Sequence, residues 1–267
     1  MLRLLTLLAF LTGAAFPQTA ATATALTRNE QEEFLATAKV IKTQRAQKGI
    51  TGTLRATLSD GTITHDASIQ TIDEKKAEFQ GDRGKEINFR DTFKFNIAAY
   101  RLGRMLGLES MIPPSIERSH QGKRGSFTWW VDDVIGDEMD RQRRRIVPPP
   151  GDAWARQFNI QTVFHQLIYN QDPNQGNTLY DKNWRLWMID HSRAFRMYTT
   201  LKEEKVLKSC DSFLLEKLKQ LDEQAVKAEL GKWLEPMEIK GLMARRDRIV
   251  KLFEKLGPAA LYDWLPK

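Results

Sequence analysis

The run Tyr169-Asn170-Gln171-Asp172-Pro173-Asn174-Gln175-Gly176-Asn177, continued by Thr178-Leu179-Tyr180-Asp181-Lys182-Asn183-Trp184-Arg185-Leu186-Trp187-Met188-Ile189-Asp190, decides how the 267-residue chain folds. Upstream, Phe158, Val163, Leu167 and Ile168 give residues 154–169 one apolar side, so a helix delivers the acidic loop 170–178. Downstream, residues 178–190 read as a hairpin with a turn at Asp181-Lys182-Asn183, and its second strand ends on Asp190. That geometry brings the carboxylates of Asp172 and Asp190 and the amide oxygen of Asn177 to one mouth. Hard oxygen ligands of this kind suit Mg2+ or Mn2+ bridging phosphates. Phosphoryl transfer needs one carboxylate near the acceptor hydroxyl, plus an Asn and an Asp for the metal. Asp, Pro, Asn and Gly also dominate plain surface turns. The apolar helix before the loop and the strand-terminal Asp190 after it favour a site.

Toward the N-terminus the pattern turns to strands. Residues 24–50 are polar and then helical, with Phe34, Ala38, Ile41 and Gln44 at helical spacing. Thr53–Leu58 and Thr62–Ile72, parted by Ser59-Asp60-Gly61, read as a hairpin. Asp91 to Leu106 is helical, with Phe93, Ile97, Tyr100 or Arg101, and Met105 on one side, Asp91 as N-cap and Gly107 at C′. Met111–Ile116 is extended, Gln121–Gly125 is a polar turn, and Ser126–Val134 is an aromatic, β-branched strand. The segment 136–153 reads as an irregular connector, its Arg141–Arg145 cluster a solvated loop before Pro148-Pro149-Pro150. Past the acidic loop, Leu214, Leu218 and Leu221, then Ile249, Leu252 and Phe253, line helices in ordinary core patterning, with Trp233 and Trp264 as packing anchors. Strands with one helix first and helices afterwards give an α+β chain in two unequal lobes. The expected parts are an N-terminal helical segment 24–48, a first lobe 49–135, a connector 136–153 and a helical lobe 154–267.

Composition narrows the setting. Met1-Leu2-Arg3, an apolar run from Leu4 to Phe16 and Pro17 have the layout of a secretory signal peptide. Cleavage fits after Ala23 or Ala25, which makes 1–23 the expected signal segment and the protein exported, periplasmic or secreted. An uncleaved N-terminal anchor is the alternative, although a spanning helix needs about 20 apolar residues. No other stretch is apolar enough to be transmembrane. Cys210 is the only cysteine, which rules out an internal disulfide and a thiolate metal cluster. Four scattered histidines lack paired-ligand spacing. The formal net charge is +7, and no nucleic-acid motif accompanies it, which sets nucleic acid aside as a partner.

Val163-Phe164-His165-Gln166-Leu167-Ile168-Tyr169-Asn170-Gln171-Asp172, with Asn177 and Met188-Ile189-Asp190-His191-Ser192-Arg193-Ala194-Phe195, resembles the atypical kinases. These comprise the secretory-pathway kinases of animals, the HipA-type bacterial kinases and the phosphoinositide lipid kinases. Kinase catalytic loops share the Asp-x-x-x-x-Asn spacing and a metal Asp after a short hairpin. Asn96-Ile97-Ala98-Ala99-Tyr100-Arg101-Leu102-Gly103-Arg104-Met105-Leu106, followed by Pro113-Pro114, resembles the secretory-kinase helix whose glutamate faces a strand lysine. The resemblance covers residues 50–195, at motif level in three patches. It implies a two-lobed atypical protein-kinase-like fold, with a small antiparallel-sheet N-lobe and a mainly helical C-lobe. It implies further that Asp172 is the catalytic aspartate, that Asn177 and Asp190 are metal ligands, and that Trp129, Trp130 and Val131 lie near adenine. Adjacent strand tryptophans equally serve core and edge packing.

Several positions depart from the family pattern. Asn96 stands at the helix-glutamate position and Gln70, judged from Ala67-Ser68-Ile69-Gln70, at the strand-lysine position. A Gln–Asn pair can hydrogen-bond but brings no charge to phosphate. Lys75 or Lys76 would be the substitute if either turned inward, though both read as solvated. Pro173 replaces a basic residue, His191-Ser192 replaces Phe-Gly, and no standard glycine-rich phosphate loop is present. His191 reads as the cap of a turn. Two functions follow from the resemblance: an exported kinase using ATP and Mg2+ or Mn2+ on a protein, sugar or lipid hydroxyl, or a pseudokinase that binds nucleotide, metal or a partner protein without transfer. A helical adaptor with no ligand is the third reading.

Overall fold

A computed structural model describes residues 26–46, 52–81 and 84–266; the expected signal segment 1–23 lies outside them. Thr27 caps helix α1 (Arg28–Thr37) in a reciprocal box, its hydroxyl accepting from Glu30 N while the Glu30 carboxylate accepts from Thr27 N at 2.7 Å. The helix stops there. Lys39–Arg45 is strand β1, correcting the helical segment expected over 24–48. Val40, Ile41 and Thr43 are β-branched and stiff in χ1, and an antiparallel partner is available. Ile41 is 60% exposed, so its place in the apparent helical period buried nothing.

Strands β2 (Leu54–Ser59) and β3 (Thr64–Gln70) form the hairpin read around Ser59-Asp60-Gly61. A second hairpin, β4 (Asp73–Gly81) and β5 (Gly84–Thr92), was not legible as strands. Helix α2 (Phe93–Met105) is capped by the Thr92 hydroxyl, not by Asp91, and ends at Gly107, whose φ of 73° only glycine adopts without strain. Strands β6 (Ser115–His120) and β7 (Lys123–Trp129) complete a five-stranded sheet in the order β1-β2-β3-β7-β6. Side chains alternate across it. Ala56, Leu58, Ala67, Ile69, Phe127 and Trp129 are buried on the face that Phe34 and Leu35 of α1 cover. Arg55, Ser68, Gln70, Ser126 and Thr128, matched across the ladders, line the other, polar face.

The strand expected over Ser126–Val134 ends at Trp129, and Val134 opens β8 (Val134–Asp137) instead. The connector is not irregular throughout: Asp137 caps helix α3 (Glu138–Arg144). Arg141 is gripped there by the buried Glu138 at 2.6 and 2.8 Å rather than solvated in a loop. Helix α4 (Ala153–Leu167) follows, then β9 (Thr178–Asp181) and β10 (Leu186–Met188), which join β8 in a three-stranded sheet. The C-terminal third holds β11 (Cys210–Asp211), α5 (Ser212–Gln220), α6 (Glu223–Leu230), α7 (Pro236–Leu256) and β12 (Leu261–Tyr262). Their apolar faces merge with those of α2 and α4 into one large core. Among the described residues no helix is long and apolar enough to cross a membrane.

The β4–β5 hairpin stands apart from the five-stranded sheet and leans on the helical lobe. Glu86 takes Arg193 at 2.6 Å and also Arg196, while Lys75 and Arg90 both reach Glu235 at the start of α7, at 3.1 and 2.6 Å. On the opposite side of the sheet, Leu35 of α1 is fully buried against the strands. Leu35→Ala is expected to lower the unfolding free energy by about 2–5 kcal/mol in urea titration, the range for deleting a core leucine.

Candidate active site

The acidic loop is fixed from both sides by backbone. Tyr169 takes a left-handed φ of 49° where α4 ends and turns the chain. Phe195 N then donates to Ile168 O at 2.6 Å, and Gln171 N to Arg193 O at 3.1 Å. The Asn170 side chain accepts from Asp172 N at 3.0 Å, and Asn174 Oδ1 accepts from Gly176 N at 2.8 Å, closing a 3-10 turn over Gln175–Asn177. Ile189 N donates to Asn177 O at 3.0 Å, which sets Asn177 beside Asp190. Asp190 sits in the left-handed region, φ 54°, at the end of the hairpin. Asp172 is near enough for its charge to act on the Asp190 carboxyl.

The polar face of the large sheet supplies the other wall. The Asn96 amide donates to Gln70 Oε1, and its Oδ1 accepts from His191 N at 2.7 Å. Gln70 Nε2 reaches Asp190 Oδ1 at 3.4 Å. Gln70 and Asn96 are therefore paired, neutral and in touch with Asp190. Lys75 and Lys76 do not substitute for the missing cation, because they pair with Glu235 and Glu74. His191 closes a turn through its carbonyl, which accepts from Ala194 N at 3.0 Å. Its ring is buried near Phe164 and His165, and burial pulls its pKa down to about 3. That imidazole is neutral at physiological pH.

Asp91 is the residue that the sequence reading misplaced. With Thr92 as the cap, the Asp91 carboxyl is free to turn toward Ser192, whose hydroxyl bonds to it. Asp91 is 6% exposed, and its Oδ1 has no partner. The same Ser192 hydroxyl, with the Ser192 N–H, also serves Asp190. A hydroxyl holds one proton, so it satisfies one carboxylate at a time. Burial raises the pKa of both acids, and the Asp190 charge adds to the rise at Asp91 as the Asp172 charge does at Asp190.

Trp130 and Val131 lie further along the sheet, about 13 Å from Gln70 by strand rise. The Arg55 guanidinium lies 4.4 Å from the Trp130 ring centroid and is bound to Asp66 at 2.6–2.7 Å. Val131 is buried. Asp172, Asn177, Asp190, Gln70 and Asn96 thus come together, while Trp130 sits beside a charged arginine and Val131 is buried. Among the described residues no three His, Cys, Asp or Glu side chains form a closed cation cage. The oxygen donors on offer are two carboxylates around Ser192 and the neighbouring Asn177.

The chain superposes on the solved structure of hydra Fam20 with sugar at a TM-score of 0.64, with 14% identity over 88% of this chain and 92% of that one. It also superposes on a Helicobacter pylori proinflammatory kinase, CtkA, at a TM-score of 0.51, with 10% identity over 83% and 95%. Neither a protein-family model nor a curated protein sequence matches the chain. At such identities the likeness is one of fold: a two-lobed kinase-like fold, with a β-rich first lobe and a helical second.

The acid cluster has a measurable signature. Both raised carboxyls hold protons that the unfolded chain releases near pH 3.8, so their contribution to stability is present at low pH and lost as pH rises through the folded values. Asp190→Asn is therefore expected to raise the melting temperature of the metal-free protein at pH 7, by about 2–4 °C per kcal/mol of relieved repulsion. The gain should shrink toward pH 4. A melting temperature that falls at pH 7 would refute the clustering.

Proposed function

We propose that the chain is a kinase-like phosphotransferase that uses ATP with Mg2+ or Mn2+ to phosphorylate a hydroxyl acceptor. The observation carrying this reading is the convergence of Asp172, Asn177 and Asp190 at one mouth, joined to the first lobe through Gln70 and Asn96. Asp190 and Asn177 would hold the cation, and Asp91, with its orphaned buried oxygen, would add a second carboxylate. Two carboxylates and an amide leave positions for water and phosphate oxygens, the usual arrangement around Mg2+. When bound, the cation would neutralise phosphate charge. Asp172 accepts the hydroxyl proton as the acceptor oxygen bonds to the terminal phosphoryl group and ADP leaves. Trp130 and Val131 would border the base. The layout of residues 1–23 supports export, to a periplasm or beyond. Protein, sugar and lipid hydroxyls are all candidate acceptors, and the sugar in the hydra Fam20 structure makes a sugar hydroxyl the first to try.

The neutral Gln70–Asn96 pair favours a second reading, a pseudokinase that binds nucleotide or metal without transfer. Melting curves with ATP and MnCl2, alone and together, test the shared site. A metal-dependent rise that vanishes in Asp190→Ala and weakens in Asp91→Ala is expected, and no shift with either ligand would sink both readings. Transfer of the terminal phosphate then separates them. Gln70→Lys combined with Asn96→Glu is expected to raise transfer about tenfold or more, the scale of one positioned charge.

A further inference from the structure

Helix α7 carries a cation that no acid balances. Arg245 is fully buried, and among the described residues no carboxylate pairs with it. Its acceptors are all backbone carbonyls. Nε donates to Leu167 O at 2.7 Å, and Nη1 donates to Arg196 O at 2.8 Å and also to Tyr198 O. The guanidinium lies 5.5 Å from the Tyr169 ring centroid, and Nη2 has no partner. Burial pulls its pKa down to about 9, which leaves it charged at neutral pH.

The carbonyls it holds have particular places in the chain. Leu167 ends α4, five residues before Asp172, while Arg196 and Tyr198 follow Asp190 by six and eight. One side chain therefore grips the two segments that carry the site's acids. Gly241, one turn earlier on α7, makes this possible. A Cβ there would stand 2.9 Å from both Arg245 Nη1 and Met197 O, so the backbone of 196–198 rests directly on the helix. Burying an arginine without a counter-ion is costly, and a methionine would fill the volume without that penalty.

We propose that Arg245, seated against Gly241, is a positioning residue that fixes the spacing between the Asp172 loop and the Asp190 segment. The inference rests on the reading of Asp190 as a cation ligand, but one of its tests does not. The Gln171 and Phe195 amides, which stitch the two segments together, report the spacing directly by hydrogen exchange.

In the full chain, Arg245→Met is expected to speed exchange at these two amides about tenfold or more, with α5 and α6 unchanged. It is also expected to weaken Mn2+ binding, read by calorimetry, by about tenfold or more, the scale of losing a supporting residue behind a metal ligand. Gly241→Ala keeps the arginine in the chain but drives a methyl group against its Nη1 and Met197 O, so it should move both readouts the same way, and it decides the matter if Arg245→Met fails to fold. Unchanged exchange at Gln171 and Phe195, or a uniform rise across both lobes, overturns the proposal. Wild-type protein that binds no Mn2+ would instead defeat the cation reading, and exchange alone would then decide the role of Arg245.

Discussion

One side-chain amide holds the two lobes in working relation. Asn96 spends its N–H on Gln70 of the large sheet and its oxygen on the His191 backbone, one residue past Asp190. An amide can do both at once because it is donor and acceptor on the same group. A carboxylate at this position could accept from the backbone but would need a cation opposite it in place of the Gln70 carbonyl. The Gln70–Asn96 pair therefore makes the mechanical joint without the charge that an ion pair would bring. Asn96 is buried, so the joint is shielded from competing water.

The neutrality of that pair bears on the balance around Asp190. Two buried carboxylates share one hydroxyl, with a third acid near them, and Gln70 is the closest thing to a counter-charge from the sheet. Such a cluster is held together by the fold and strained by its own electrostatics. A divalent cation held there, as proposed above, would relieve that strain.

Much of this was legible in the sequence, for reasons that differ by residue. Asp172, Asn177 and Asp190 could be read together because a short loop and a hairpin set their spacing locally. Gln70 and Asn96 were singled out by the resemblance to the secretory kinases, not by spacing, and they are hydrogen-bonded to each other. Asp91 did not, since Asp and Thr both cap helices and stand side by side at the start of α2. The β1 strand was hidden by an accidental helical period, and β4–β5 by its run of alternating charge without a buried face. Arg245 left no trace at all. Its partners are carbonyls, which every residue carries, so nothing in the sequence distinguishes it from a surface arginine.

The β4–β5 hairpin has a further consequence. Besides the Asn96 joint, the hairpin ties to the helical lobe through Glu86, Arg90 and Lys75. The outer tie, Lys75 to Glu235, is solvent-exposed and weakens with ionic strength, whereas Arg196 under Glu86 is sheltered from it. Ionic strength therefore divides the hairpin's hold on the helical lobe into a part that fades with salt and a part that does not.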